Sequence, residues 1–242
     1  MASTSSTLAS TEPRVITGWK RVAWPELRIL PLKTSAASLP APMQQISQDI
    51  LKSAHIIAKK HDLLSLEDMD DQIHFEMRNR IPTLLILAPW SSEKTHIWEQ
   101  AVQEMVMSLA ELSKESSISE GDIHVEIIAP ELQQTIYYTS INDPHISATW
   151  DSVRPKVYGC LQSFQATRGH MSTIALQRYG VLPHLEANPA TIYIGVEHGS
   201  DETGWHEVIA DIKNMLQGET GWGHVQVHME HNENWGMGML FD

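Results

Sequence analysis

The stretch GDIHVEIIA, starting at Gly121, returns as GWGHVQVHM starting at Gly221, with His124 and His224, Val125 and Val225, and Ile127 and Val227 in matching places. A strand written twice at so wide a spacing restricts the chain to folds that accept two copies of one unit.

In the first half, APMQQISQDILKSAHIIAKKH sets Met43, Ile46, Ile50, Ala54 and Ile57 on one stripe, the mark of an amphipathic helix. QIHFEMRN alternates and PTLLILAP runs apolar, with RNRIP as the turn of a hairpin. A second helix follows, with Ile97, Ala101, Met105, Leu109 and Leu112 on one face, and DIHVEIIAP closes the unit as a strand. The second half repeats that order. Trp150, Val153, Val157, Leu161 and Phe164 give a helical stripe, with Pro155 expected in or near the first turn. MSTIALQRYG and ATIYIGVEHG make a hairpin, TGWHEVIADIKNMLQ a helix and HVQVHME the last strand.

Matching residues pair Arg78 with Arg178 and His124 with His224, while Thr83 and Thr191 are separated further because the second hairpin loop, VLPHLEANPA, is longer. The expected fold class is α+β. A helix-strand-strand-helix-strand unit is duplicated, its helices pack on one face of a mixed sheet, and a pseudo-twofold relates the copies in a sandwich related to the ferredoxin-like arrangement. The boundaries read as a disordered or extended segment over 1–40, units over 41–131 and 147–231, a linker over 132–146 and an apolar tail over 232–242. That tail, WGMGMLF in its apolar part, either folds back on the sheet or offers a patch to a partner.

The stretch NPATIYIGVEHGSDETGWHEVIADIKNML over 188–216 resembles a segment found in hypothetical proteins of filamentous fungi: an N-P-x-T start, a strand, a Ser-rich turn and a Trp opening a helix. The resemblance is weaker in RIPTLLILAPWSSEKTHIWEQAV. It implies a lineage and assigns no activity and no catalytic residue.

Composition excludes some functions. With 17 basic and 30 acidic residues the chain has a net charge of −13, which opposes nucleic acid and anionic lipid. The longest apolar run, IPTLLILAPW, is half of what a membrane span needs. MASTSSTLASTEPRV lacks the pattern of a signal peptide, and one cysteine, Cys160, fits a reducing, cytoplasmic setting.

Candidate sites come from the turns after the apolar strands, where α/β units bind ligands near helix N-termini. PWSSEKTH offers Trp90, Ser91 and Ser92. EHGSDETGW offers His198 with Glu197 or Asp201 as a base and its orienting carboxylate, and Ser200 beside them; Arg178 adds a cation for a carboxylate. No nucleophile or phosphate-loop motif accompanies them. His124 and His224 are candidates to face each other across the copies. His224, His228 and His231 have the chemistry of metal ligands, but their spacing along a strand does not favour chelation. The sequence thus implies no cofactor. Its leading reading is association with a second copy or a protein partner, or ligand binding. The alternative is a small-molecule enzyme with an acid-base pocket between the units, built from His198, Glu197 and Arg178.

Overall fold

The computed structural model describes residues 12–35, 37–64 and 72–232. Within them the helix-strand-strand-helix-strand order occurs twice. The first unit runs α1 (Ala41–Lys60), β4 (Ile73–Arg78), β5 (Ile81–Leu87), α2 (Thr95–Ser113) and β6 (His124–Ile128). The second runs α3 (Pro144–Ser163), β8 (Met171–Gly180), β9 (Ala190–Val196), α4 (Trp205–Gln217) and β10 (Gln226–His231). Short strands precede each: β1 (Ile16–Gly18), β2 (Arg21–Trp24) and β3 (Thr34–Ser35) before the first, β7 (Tyr137–Thr139) before the second.

The result is an α+β structure with two mixed sheets. The first is ordered β1-β2-β6-β5-β4-β3 and the second β10-β9-β8-β7. In both, the strands flanking the internal helix lie parallel, β5 with β6 and β9 with β10, while the preceding strand is antiparallel, β4 to β5 and β8 to β9. A strand-helix-strand connection permits parallel neighbours, and a hairpin enforces antiparallel ones.

Alternation along the strands decides which face the helices cover. In the first sheet Val22, Trp24, Leu84, Ile86, Val125 and Ile127 pack with Ile50, Ala54 and Ile57 of α1 and Trp98, Ala101 and Met105 of α2. In the second, Ile192, Ile194, Val227 and Met229 pack with Val153, Val157 and Leu161 of α3 and Val208, Ile209 and Ile212 of α4. Each Val, Leu, Ile or Met among these, fully buried, contributes about 1.5–3 kcal/mol. The opposite faces carry Arg21, Arg78, Thr83, His124 and Glu126 in the first sheet, beside apolar Leu85 and Ile128, and Tyr179, Tyr193, His228 and Glu230 in the second.

Several expectations are corrected. The segment before Ala41 adds strands on both margins of the first sheet, and the stretch expected as a linker supplies β7. Pro155 lies inside α3, not in its first turn. The helix starts earlier, where Asp143 accepts hydrogen bonds from the His145 and Ile146 amides and Pro144 takes the first helical position. The tail over Trp235–Phe241 lies outside the described residues.

The strand registers also differ from the sequence pairing. Thr83 lies opposite His124 and Glu76, whereas Thr191 lies opposite Gln226 and Gln177. With the two threonines matched, His124 therefore corresponds to Gln226, Glu126 to His228, and Arg78 to Tyr179. A one-residue slip on a strand moves a side chain to the other face, so Arg78 and Arg178 are not equivalent. His224 is not on a strand at all; it is exposed in the turn before β10.

Two local sequences explain the hairpins. Asn79 and Arg80 both have positive φ, 49° and 68°, the signature of a two-residue type I′ turn between β4 and β5. The longer loop before β9 is pinned by Asn188, whose side chain accepts from the Leu182 amide at 3.1 Å and donates to the Leu182 carbonyl at 2.9 Å. Thr83 and Thr191 each donate their hydroxyl to the carbonyl two residues back, of Ile81 and Pro189, both at 3.1 Å. The N-P-x-T pattern is thus a loop clamp.

Candidate functional site

The two units are joined by a buried ion pair. Arg21 of β2 donates to both Glu202 oxygens, at 2.8 and 2.5 Å, and to Glu126 of β6 at 3.1 Å; Arg78 donates to the other Glu126 oxygen at 3.0 Å. Glu202 lies in the single turn Glu202–Gly204 just before α4, so this network crosses from one unit to the other. Burial works against the Arg21 charge, but the hydrogen bonds and charges of Glu202 and Glu126 outweigh it and push its pKa up. The turn between β1 and β2 must approach closely to allow this. A Cβ on Gly18 would lie 2.4 Å from Glu202 Oε1, so only glycine fits. Trp19 donates its amide to the same oxygen at 2.9 Å, and His206 Nε2–H donates to the Gly18 carbonyl at 3.0 Å.

Above this joint lies a cleft of about 600 Å³ between the units. Trp19, residues 30–32, Thr34 and Arg78 line one side; Tyr179, His198, Glu202, Trp205 and residues 228–232 line the other. Consecutive residues of β10 with side chains on alternate faces all line it, so the cleft meets the edge of that strand.

The most organised group on its wall is centred on Glu230. Tyr193 donates to Glu230 Oε1 at 2.6 Å and Tyr179 to Oε2 at 3.2 Å, while His228 Nε2 lies 3.1 Å from Oε2. Asn232 in turn donates to the Tyr193 hydroxyl at 2.8 Å. The rings pack together, Tyr179 on His228 at 4.6 Å and on Tyr193 at 5.5 Å between centroids. Burial would raise the Glu230 pKa, yet the hydrogen bonds from His228, Tyr193 and Tyr179 pull it below its ordinary value. Both phenols are pushed up, by burial first and by Glu230 next. The carboxylate stays charged and the phenols stay protonated, which makes the cluster a fixed acceptor and not a base in waiting.

The sequence candidates scatter. His198 does line the cleft, with its ring 6.0 Å from that of His231. Glu197 points to His170 at 3.8 Å, and Asp201 caps its own turn by accepting from the Thr203 amide and hydroxyl. Ser200 is buried, donating to the Ala166 carbonyl and accepting from the Trp205 indole. Arg178 projects from the other face of β8 and holds the hairpin loop through the Asn188 carbonyl at 2.8 Å and Glu186 at 3.1 Å. The acid-base set of His198, Glu197 and Arg178 is therefore not assembled.

Trp90 packs on Trp19 and His206, at 5.0 and 5.8 Å, and anchors one unit to the other; Ser91 and Ser92 lie beside it at the start of the turn before α2. His124 is buried beside Arg28, and burial lowers its pKa; it does not meet His224. His231 is buried on the helix side, its Nε2–H donating to the Ser200 carbonyl at 3.0 Å, and burial lowers its pKa too. His228 and His231 lie on opposite faces of β10 and His224 lies in the turn before it, and among the described residues no group of three or more side chains has the arrangement of a metal site.

Sequence reasoning missed Tyr179, Tyr193 and Glu230. Their alternation with apolar neighbours on β8, β9 and β10 was visible, but only the register brings them together.

No protein-family model matches the chain, and neither the curated proteins nor the solved structures contain a significant match. Among the described residues no helix is long and apolar enough to cross a membrane.

Proposed function

We propose that the protein is a binding module that takes a small polar ligand in the cleft between its two units. The observation that carries this reading is the Glu230 cluster, a charged carboxylate with three hydrogen-bonding neighbours already in place on the cleft wall. The cleft volume suits a small molecule. Of the charged groups on its lining, Glu131 is paired with Lys20, Glu202 with Arg21 and Arg78 with Glu126, so the charge a ligand meets is that of Glu230, which favours neutral or cationic ligands carrying hydroxyl or amine donors and disfavours anions. Trp19 and Trp205 supply apolar faces for the ligand's carbon skeleton.

Binding is favoured over catalysis because the cluster satisfies itself and leaves no activated nucleophile or base beside it. Cys160 does not change this; burial first and Asp211 next push its thiol up to about 11. A reducing, cytoplasmic setting belongs to the same reading, as does descent of the two units from one ancestor, supported by their matching order and strand pairing.

The test is a thermal-shift and titration series on the full chain with a hexose, a short aliphatic diamine and citrate. The expected result is stabilisation by the hexose or the diamine, none by citrate, and loss of the effect in Glu230→Gln. Stabilisation by citrate, or a hexose or diamine response that survives Glu230→Gln, contradicts the reading.

A further inference from the structure

Residues 25–33 form a strap. They leave the end of β2 and reach β3 at the far margin of the first sheet, passing the adjoining ends of β6, β5 and β4 on the way. The later part of the strap, Leu30, Pro31 and Leu32, is one wall of the cleft. None of residues 25–33 is fully buried, so little apolar contact holds them down. Polar contacts hold them instead. Arg28 donates to the Arg78 carbonyl at 2.7 Å and to the Thr83 hydroxyl at 2.8 Å. At the far end the Lys33 amide donates to Asn79 Oδ1 and the Lys33 carbonyl accepts from the Asn79 amide, both at 2.8 Å.

His124 stands beside the Arg28 anchor, opposite Thr83 in the sheet. It is only 6% exposed, and its Nδ1 is buried with no hydrogen-bond partner among the described residues. The charged groups that act on it are Arg28 and Glu26 of the strap and Glu126 on its own face of β6; β5 presents Thr83, and β2 ends at Trp24, opposite Val125. Glu126 is not a spare counter-ion. It already accepts from Arg21 and Arg78, and Arg28 lies 3.9 Å from it. Glu26 is exposed, where water and salt screen it. A proton on His124 therefore adds a fourth cation to three guanidiniums.

We infer that His124 is an acid-operated latch for this strap: once protonated it displaces Arg28 and lifts residues 25–33 off the sheet, which takes away one wall of the cleft. The direction follows from linkage. With the strap down, burial first and Arg28 next lower the His124 pKa from 6.5; lifting the strap lets water reach the ring, moves Arg28 away and returns the pKa toward 6.5. The seated strap is fully favoured above pH 6.5 and loses its advantage as pH falls through 6.5 toward the lowered value, by up to about tenfold per pH unit. Release needs no ligand. Only its consequence for binding rests on the cleft being a ligand site.

Methyl NMR of the full chain without ligand, taken from about pH 7.5 down to about pH 5, tests the latch. The Leu30 and Leu32 methyls are expected to move with a common midpoint toward the positions they take in Arg28→Gln at neutral pH, while the core methyls of Ile86 and Ile127 stay in place. In His124→Gln the strap should remain seated over the whole range. Leu30 and Leu32 methyls indifferent to acid, or an acid response that persists in His124→Gln, overturns the inference. So does movement of the core methyls together with them, which is general unfolding, or an Arg28→Gln variant that leaves Leu30 and Leu32 where they were.

Discussion

At corresponding positions the first sheet carries Arg78 and Glu126 where the second carries Tyr179 and His228. In the first unit these side chains are locked with Arg21 in a buried ion network that reaches Glu202; in the second they form the hydrogen-bonded wall of a cleft. Similar backbones thus carry different tasks. The Arg78–Glu126 pair closes the joint between the units, and the Tyr179–His228 pair lies on the wall of the cleft.

The largest effect expected from this contrast is at the joint. Arg21→Met leaves Glu202 and Glu126 buried without their shared cation, and should cost about 3–5 kcal/mol in urea unfolding. A loss below about 1 kcal/mol would mean that the two units do not rely on that network.

Next comes a change confined to the second unit. Asn188→Ala strands the Leu182 amide and carbonyl and should cost about 1–3 kcal/mol, whereas Asn79→Ala in the corresponding turn removes a bond only to the exposed Lys33 amide and the preference for positive φ. Equal losses from the two would erase the distinction between the hairpins.

Acid should weaken both units. The folded pKa values of His124 and His231 are lowered from 6.5, so protons bind the unfolded chain more readily. Stability is full above pH 6.5 and falls as pH drops through 6.5 toward the folded values. Glu230, lowered from 4.5, contributes stability that is present above pH 4.5 and lost as pH falls through its folded value. Unfolding free energies measured from pH 8 down to pH 4 should show the histidine slope first. His124→Gln and His231→Gln should each flatten part of it; an unchanged slope in both would assign the acid response elsewhere.

The smallest effect is at His224. Exposed in its turn, its replacement by alanine should change stability by less than about 0.5 kcal/mol and leave ligand response intact.

How far the sequence reached is clearest in the strands. Apolar periodicity revealed the four helices and the six strands of the two units, because a helical stripe and a buried run are written in neighbouring residues. The short strands β1, β2, β3 and β7 were missed: they are two to four residues long, too short to set up a period. Register was also hidden. Matching HVEII to HVQVH by identity placed His124 against His224, whereas hydrogen bonding along β9 shifts the match to Gln226. The site followed that error, since Tyr179, Tyr193, His228 and Glu230 become neighbours only in the true register. Glu202, in the turn just before α4, holds a partner from the other unit, a contact that no local pattern announces.

The separation of roles between the two inner faces is tested most directly by amide and side-chain shifts in the full chain during titration with the hexose and the diamine. Perturbations should gather on Tyr179, His228, Glu230 and Asn232 and spare the face around Arg28 and His124. Shifts centred on Arg28 and His124, with the Glu230 cluster unmoved, would contradict it.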